Sequence, residues 1–272
     1  MKFRLAAVLA ALLVVLAACS SGATALPSVP ASAAPPASGL TIYGAASLKA
    51  ALAKVKAAYE TANPGTTLTI STDSSSALET QIEQGAPADV FLSADTTNPQ
   101  KLITRNQASG APVKFAGNLL TVIVPTANTA GVTTPADLAK SGLKVIAAGD
   151  AVPITKYATQ LVANLARETG YPAGFAAGYA ANVVSKEDNV AAVVSKIELG
   201  EGDAAIVYVT DARTSTRVTT VTVPADANVP ATYSGVVVGS SKNAAAAQAF
   251  LTWFSGPAGQ AILASFGFLP PA

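Results

Sequence analysis

The hydrophobic and polar positions of this chain switch repeatedly between a strand period and a helix period. Leu40-Thr41-Ile42-Tyr43-Gly44-Ala45 reads as a short strand. Leu48, Leu52, Val55 and Tyr59 then recur at steps of four, three and four, which is one face of a helix. Ser47 stands at its start as an N-cap, and Asn63-Pro64-Gly65 stops it. Thr67 to Ser71 predicts the next strand. The serine run Ser74-Ser75-Ser76 predicts the cap of a second helix, with Ser76 and Glu79 in the S-x-x-E capping-box spacing. That helix stops at Gly85, and a strand with a short apolar centre follows from Asp89 to Ser93.

The second half repeats the alternation. Gly117 to Pro125 predicts one long apolar strand that crosses between lobes. Thr134-Pro135 starts a helix that ends at Gly142, and Lys144 to Ala148 is a strand. Pro153 fits the first position of a helix running through Tyr157, Leu161 and Leu165 to Gly170. Val183 to Ser185 is a strand, and Asp188 is expected to cap a helix carrying Val190, Val193, Val194 and Ile197. Asp203 to Tyr208 is a buried strand ending in a tyrosine. Thr232 to Gly239 is a strand that returns to the first lobe. Helices over 243–254 and 258–266 close the chain, with Trp253 packing rather than touching a ligand.

Helices that follow strands imply an α/β fold with mostly parallel sheets, whose ligands lie beyond the carboxyl ends of the strands. Ser47 and Ser75 both face that edge. Each is equally a plain helix cap or a hydroxyl beside free amides. The first amides of a helix lack carbonyl partners, so those of Ile154 and Val190 are open to an anion. Tyr208 reads as a core aromatic with its hydroxyl at the surface, or as a donor at a strand end.

Composition narrows the chemistry. The 272 residues are 50% hydrophobic and only 12% charged, enough for a large core. There is no histidine, which excludes a Ser-His-Asp triad, Cys-His catalysis and histidine-bound zinc. One cysteine, Cys19, excludes a disulfide framework or a cysteine-rich metal site. Residues 1–18 carry a charged start (Lys2, Arg4) and an apolar run from Leu5 to Leu16, the layout of a signal peptide. Leu16-Ala17-Ala18-Cys19 resembles a lipobox, which implies cleavage before Cys19 and a lipid on its thiol. Residues 20–38 are rich in Ala, Ser, Pro and Gly and are expected to be a tether. Without Lys2 and Arg4 the 17 basic residues become 15 against 16 acidic ones, so there is no basic field for nucleic acid.

The run SSSALETQIEQGAPADVFLSAD over residues 74–95 closely resembles the signature of the bacterial molybdate-binding proteins of molybdate ABC transporters. The similarity extends in order through Ala45-Ala46-Ser47-Leu48, Gly149-Asp150 with Val152-Pro153, Glu187-Asp188-Asn189-Val190, Gly202 to Tyr208 with Asp211-Ala212, and Gly256-Pro257 through Phe266-Gly267-Phe268. It implies a two-lobed periplasmic binding protein of the second type, with a hinge of two chain crossings. Lobe 1 is expected over residues 40–120 and 232–272, and lobe 2 over 121–231. It further implies that Ser47, Ser75, the amides of Ile154 and Val190, and the Tyr208 hydroxyl hold molybdate, and with it tungstate. The expected partners are the permease and ATPase of an importer, and the membrane through the Cys19 lipid. The protein is expected to be an extracytoplasmic monomer with no cofactor and no bound metal cation. One departure stands out: the loop before Val152-Pro153 is two residues shorter than is usual in the family, and Ile154-Thr155 replaces Ala-Gly. Ile154 is expected to narrow the pocket, and Thr155 to offer it a hydroxyl.

Three alternatives remain at this level. Another tetrahedral oxyanion, sulfate or phosphate, would use the same scaffold. An enzyme would need a base or nucleophile in the cleft. A structural envelope lipoprotein would bind no ligand.

Overall fold

The computed structural model describes residues 38–271. The signal segment, Cys19 and the tether lie outside them. The strands are β1 (Ser38–Ala45), β2 (Thr66–Asp73), β3 (Val90–Ser93), β4 (Ala108–Asn118), β5 (Leu120–Pro125), β6 (Val145–Ala148), β7 (Val183–Glu187), β8 (Ala204–Tyr208), β9 (Val218–Val221) and β10 (Ala231–Val238). The helices are α1 (Lys49–Ala62), α2 (Ser75–Glu83), α3 (Thr97–Thr104), α4 (Pro153–Leu165), α5 (Phe175–Asn182), α6 (Val190–Glu198), α7 (Val209–Arg213), α8 (Ala244–Ser255) and α9 (Pro257–Ser265).

Two five-stranded sheets result, ordered β2-β1-β3-β10-β4 and β7-β6-β8-β5-β9. In the first, β2, β1 and β3 are parallel, and β10 runs antiparallel to both β3 and β4. In the second, β7, β6 and β8 are parallel, and β5 runs antiparallel to both β8 and β9. Four strands of each sheet therefore point one way. The strand that opposes them, β5 or β10, is the one that brings the chain in from the other sheet. This is the mixed, mostly parallel α/β architecture that the sequence pattern implies, built as two lobes with flanking helices.

The apolar stripes pack as their spacing requires. Leu52, Val55 and Tyr59 of α1 are buried. Each such side chain contributes roughly 1.5–3 kcal/mol relative to exposure. Tyr59 meets Phe250 and Trp253 edge-on, with ring centroids 5.0 and 5.1 Å away. Trp253 is thus a packing residue. Helix α2 buries Leu78 and Ile82 on Phe91 and Val236, and it closes at Gly85, whose φ of +90° suits glycine.

Several local expectations are corrected. Residues 117–125 are not one strand. Asn118 Oδ1 accepts the Leu119 amide at 3.0 Å, the ladder breaks there, and β4 and β5 join different sheets. The Thr134 helix is only a 3-10 turn, Pro135–Ala139: the Asp137 carboxylate caps its start by accepting the amides of Thr133 and Thr134 at 2.8 Å each, and the backbone is already extended at Lys140. Helix α4 ends at Leu165 rather than Gly170, since the amides of Arg167 and Glu168 bond three residues back instead of four. Ser74, not Ser76, caps α2 by accepting the Ala77 amide at 3.3 Å. Glu79 closes no capping box: it is buried and faces Lys101 and Arg105.

Candidate anion-binding site

Strands β1 and β2 are parallel and end in register, Ala45 opposite Asp73. The turns that follow them therefore lie side by side, one carrying Ser47 and the other Ser75. From the second lobe come the first turns of α4 and α6 and the end of β8. These parts line a small cavity, about 10 Å³ in volume, formed by Ser47, Ser75, Ile154, Val190 and Tyr208 together with Ala45, Ala46, Ser74, Ala94, Val152 and Pro153. All five residues singled out from the sequence thus meet at one place. The lining contains no charged side chain.

Each donor is held by the local structure. Ser75 Oγ accepts the Ala94 amide at 3.0 Å, so its proton is left for another acceptor. Ser47 is not the expected helix cap: it sits in the 3-10 turn Ala46–Leu48, and α1 starts at Lys49 with no side-chain cap. Its hydroxyl instead lies 2.9 Å from that of Tyr233. Asn118 Nδ2 donates to the Tyr233 oxygen at 3.3 Å and to Thr210 Oγ1 at 2.8 Å. An Asn118 amide that donates to Tyr233 leaves the phenol proton for Ser47, and the Ser47 proton for the cavity.

Ile154 and Val190 stand in first turns, where amides have no intrahelical carbonyl. Pro153 has no N–H to compete with Ile154. The cap of α6 is Asn189 rather than Asp188: its Oδ1 accepts the Ala192 amide at 3.1 Å, while Asp188 stays exposed. Ile154 lines the cavity as expected. Thr155 does not supply it with a hydroxyl, because Thr155 Oγ1 donates to the carbonyls of Ala148 and Gly149 at 3.0 and 2.9 Å.

Tyr208 is 1% exposed, and its hydroxyl is buried with no hydrogen-bond partner among the described residues. Burial, and then the neighbouring phenols of Tyr233 and Tyr157, push its pKa well above the usual 10, so it stays a proton donor. A buried donor without an acceptor costs about 1–3 kcal/mol. Tyr208 lines the cavity together with Ser47, Ser75 and the first turns of α4 and α6. Tyr233, Asn118 and the Ala94 amide were not singled out from sequence. Their partners lie 19 to 186 positions away, so no local spacing signals them.

Two α/β lobes around a cavity of neutral donors are the architecture of a solute-binding protein. The chain belongs to the bacterial extracellular solute-binding protein family, whose model matches residues 40–269. It is 33% identical over 257 residues to the molybdate-binding protein ModA of Mycobacterium tuberculosis, covering 94% of this chain and 93% of that one. Among solved structures it is similar to the periplasmic molybdate-binding protein of Azotobacter vinelandii (TM-score 0.72, 24% identity, 86% of this chain and 100% of that chain). The sulfate-binding protein SubI of Mycobacterium tuberculosis shares the fold as well (TM-score 0.76, 19% identity, 85% and 86%).

Proposed function

We propose that this chain captures molybdate, and with it the nearly equal-sized tungstate, and delivers it to the permease and ATPase of an ABC importer. Ser47, Ser75 and Tyr208 donate through hydroxyls, and Ile154 and Val190 through backbone amides. The observation that carries the reading is the buried Tyr208 hydroxyl, without a hydrogen-bond partner among the described residues, on a residue that lines one small cavity with Ser47, Ser75, Ile154 and Val190.

Molybdate is a tetrahedral dianion with no proton to give at neutral pH. Hydroxyls, amides and helix N-termini supply partial positive charge without a counter-ion that must itself be desolvated. Hydrogen bonds to a charged group are worth roughly 1.5–3 kcal/mol each, so five of them leave a surplus for tight binding after ordering costs. No carboxylate lines the cavity to accept the proton that phosphate keeps near neutral pH.

The lobe division at residues 40–120 with 232–272 and 121–231 makes the two crossings a hinge. Lobe closure would complete the donor set, and the permease would recognise the closed form as a population shifted by the anion. The task is capture without catalysis. A lipid on Cys19 would hold the monomer at the outer face of the cell membrane.

Titration calorimetry of the purified protein with molybdate, tungstate, sulfate and phosphate in parallel tests this. Tight binding of the first two, with sulfate at least about a hundredfold weaker, is expected; each tenfold is about 1.4 kcal/mol. Preferred binding of sulfate or phosphate would keep the fold and change the cargo. No heat from any of the four would refute an oxyanion carrier.

A further inference from the structure

We infer that Asp73 and Asn189 form a latch across the cleft that slows escape of the bound anion, an inference that rests on the functional reading above. Asp73 ends β2 in the first sheet, and Asn189 immediately precedes α6 in the second lobe. Asn189 Nδ2 donates to Asp73 Oδ1 at 2.9 Å, across 116 positions of sequence. Both residues are half-buried.

The pair ties together the two helix starts that carry site groups. Asp73 Oδ1 also accepts the amide of Ser74 at 2.7 Å, and Ser74 caps α2, whose first residue is Ser75. Asn189 Oδ1 caps α6, whose first residue is Val190. One carboxylate oxygen therefore holds the beginnings of both helices, one from each lobe. The capping bond also fixes the amide's orientation. With Oδ1 turned to the Ala192 amide, Nδ2 is the end left to reach the other lobe.

Neither side chain touches the inner cavity. Asp73 lines the outer hollow with Ser76, Asp150 and Asp188, beyond the lining of the inner one. The two are thus positioning residues. Their bond, from an amide N–H to a carboxylate oxygen, is of the stronger kind. It joins groups that separate when the lobes part, so its loss falls on the rate of release.

Asparagine is required at 189 for this role, although it is not required for the cap. An aspartate there would cap α6 equally well but would set a carboxylate against Asp73. Asn189→Asp therefore separates the two functions. Adding Asp73→Asn exchanges donor and acceptor: Asn at 73 donates to Asp at 189 and still accepts the Ser74 amide.

The test is stopped-flow dissociation of molybdate, with thermal melting of each ligand-free protein as the folding control. Asn189→Asp is expected to release molybdate about tenfold faster or more, while the ligand-free protein still melts in a single cooperative transition. The double variant Asp73→Asn/Asn189→Asp is expected to return to within about threefold of the unaltered rate. Asp73→Ala, which removes the acceptor without adding a charge, is expected to quicken release as well. Release from Asn189→Asp at the unaltered rate, or a double variant as fast as Asn189→Asp alone, overturns the latch. Failure of the unaltered protein to bind molybdate overturns the functional reading instead, and the latch falls with it.

Discussion

Ser47 and Tyr233 stand 186 positions apart, yet their hydroxyl oxygens are 2.9 Å from each other at the back of the cavity. Tyr233 is fully buried and also receives Asn118 Nδ2. The pair sets which way the Ser47 proton points. Tyr233→Phe should therefore weaken anion binding by about tenfold while the fold survives, since the ring packing against Phe115, Tyr208 and Phe268 is kept. Calorimetry on the variant checks the affinity, and circular dichroism the fold.

Tyr208→Phe should move stability and binding in opposite directions. Removing a buried hydroxyl that has no partner relieves about 1–3 kcal/mol in the ligand-free protein. The same change removes a donor from the anion. The expected pattern is a higher melting temperature without molybdate and a smaller rise when molybdate is added, both read in one thermal-shift series.

Ser75→Ala should lower both. Ser75 Oγ is the acceptor for the buried Ala94 amide, so its loss strands that N–H and costs about 1–2 kcal/mol of stability. Chemical denaturation measures that cost, and calorimetry measures the accompanying loss of affinity. A variant less stable but with full affinity would remove Ser75 from the site.

A backbone donor can be tested without touching a side-chain donor. Val190 is the first residue of α6, where proline is tolerated, and Asn189 before it is already extended at φ −156°, ψ 169°. Val190→Pro should keep the helix and delete the amide, weakening binding about tenfold. Unchanged affinity would place the anion away from α6.

Acid–base behaviour has a specific source in Asp211. Burial raises its carboxyl to about 7, against the lowering effect of the Tyr208 amide that bonds it. The folded state then holds a proton that the unfolded chain releases near 4, so stability from this group is full below about 4 and falls as pH rises toward 7. Asp211→Asn keeps an acceptor for the Tyr208 amide and removes the titration. Its denaturation midpoint should fall less than that of the unaltered protein between pH 5 and 8, and parallel curves would contradict the assignment.

The strand–helix alternation, the two serines, the two first-turn amides and Tyr208 were legible because each leaves a local mark: a period, a proline, a turn or a strand end. What was not legible depends on pairs distant in sequence. Ser47 looks like a cap because serine before an apolar helical face usually is one. Only Tyr233, brought in by β10, shows that its hydroxyl is used elsewhere. Asp188 and Asn189 are both good caps, and only the folded turn, which sets Asn189 Oδ1 on the Ala192 amide and leaves Asp188 exposed, decides between them. The break at Asn118 was hidden because apolar residues continue on both sides of it. Helix α3 is only eight residues long, and Leu102 and Ile103 are its aliphatic positions, too few to mark a helical face in the sequence.

The most direct test is the crystal structure of the molybdate complex, with the ion located by its anomalous scattering. One tetrahedral ion is expected between the lobes. Its oxygens should lie about 2.7–3.2 Å from Ser47 Oγ, Ser75 Oγ, the amides of Ile154 and Val190, and the Tyr208 hydroxyl. An ion bound elsewhere, such as the groove beside Lys101 and Arg105, with the Tyr208 hydroxyl still unpartnered, would contradict it.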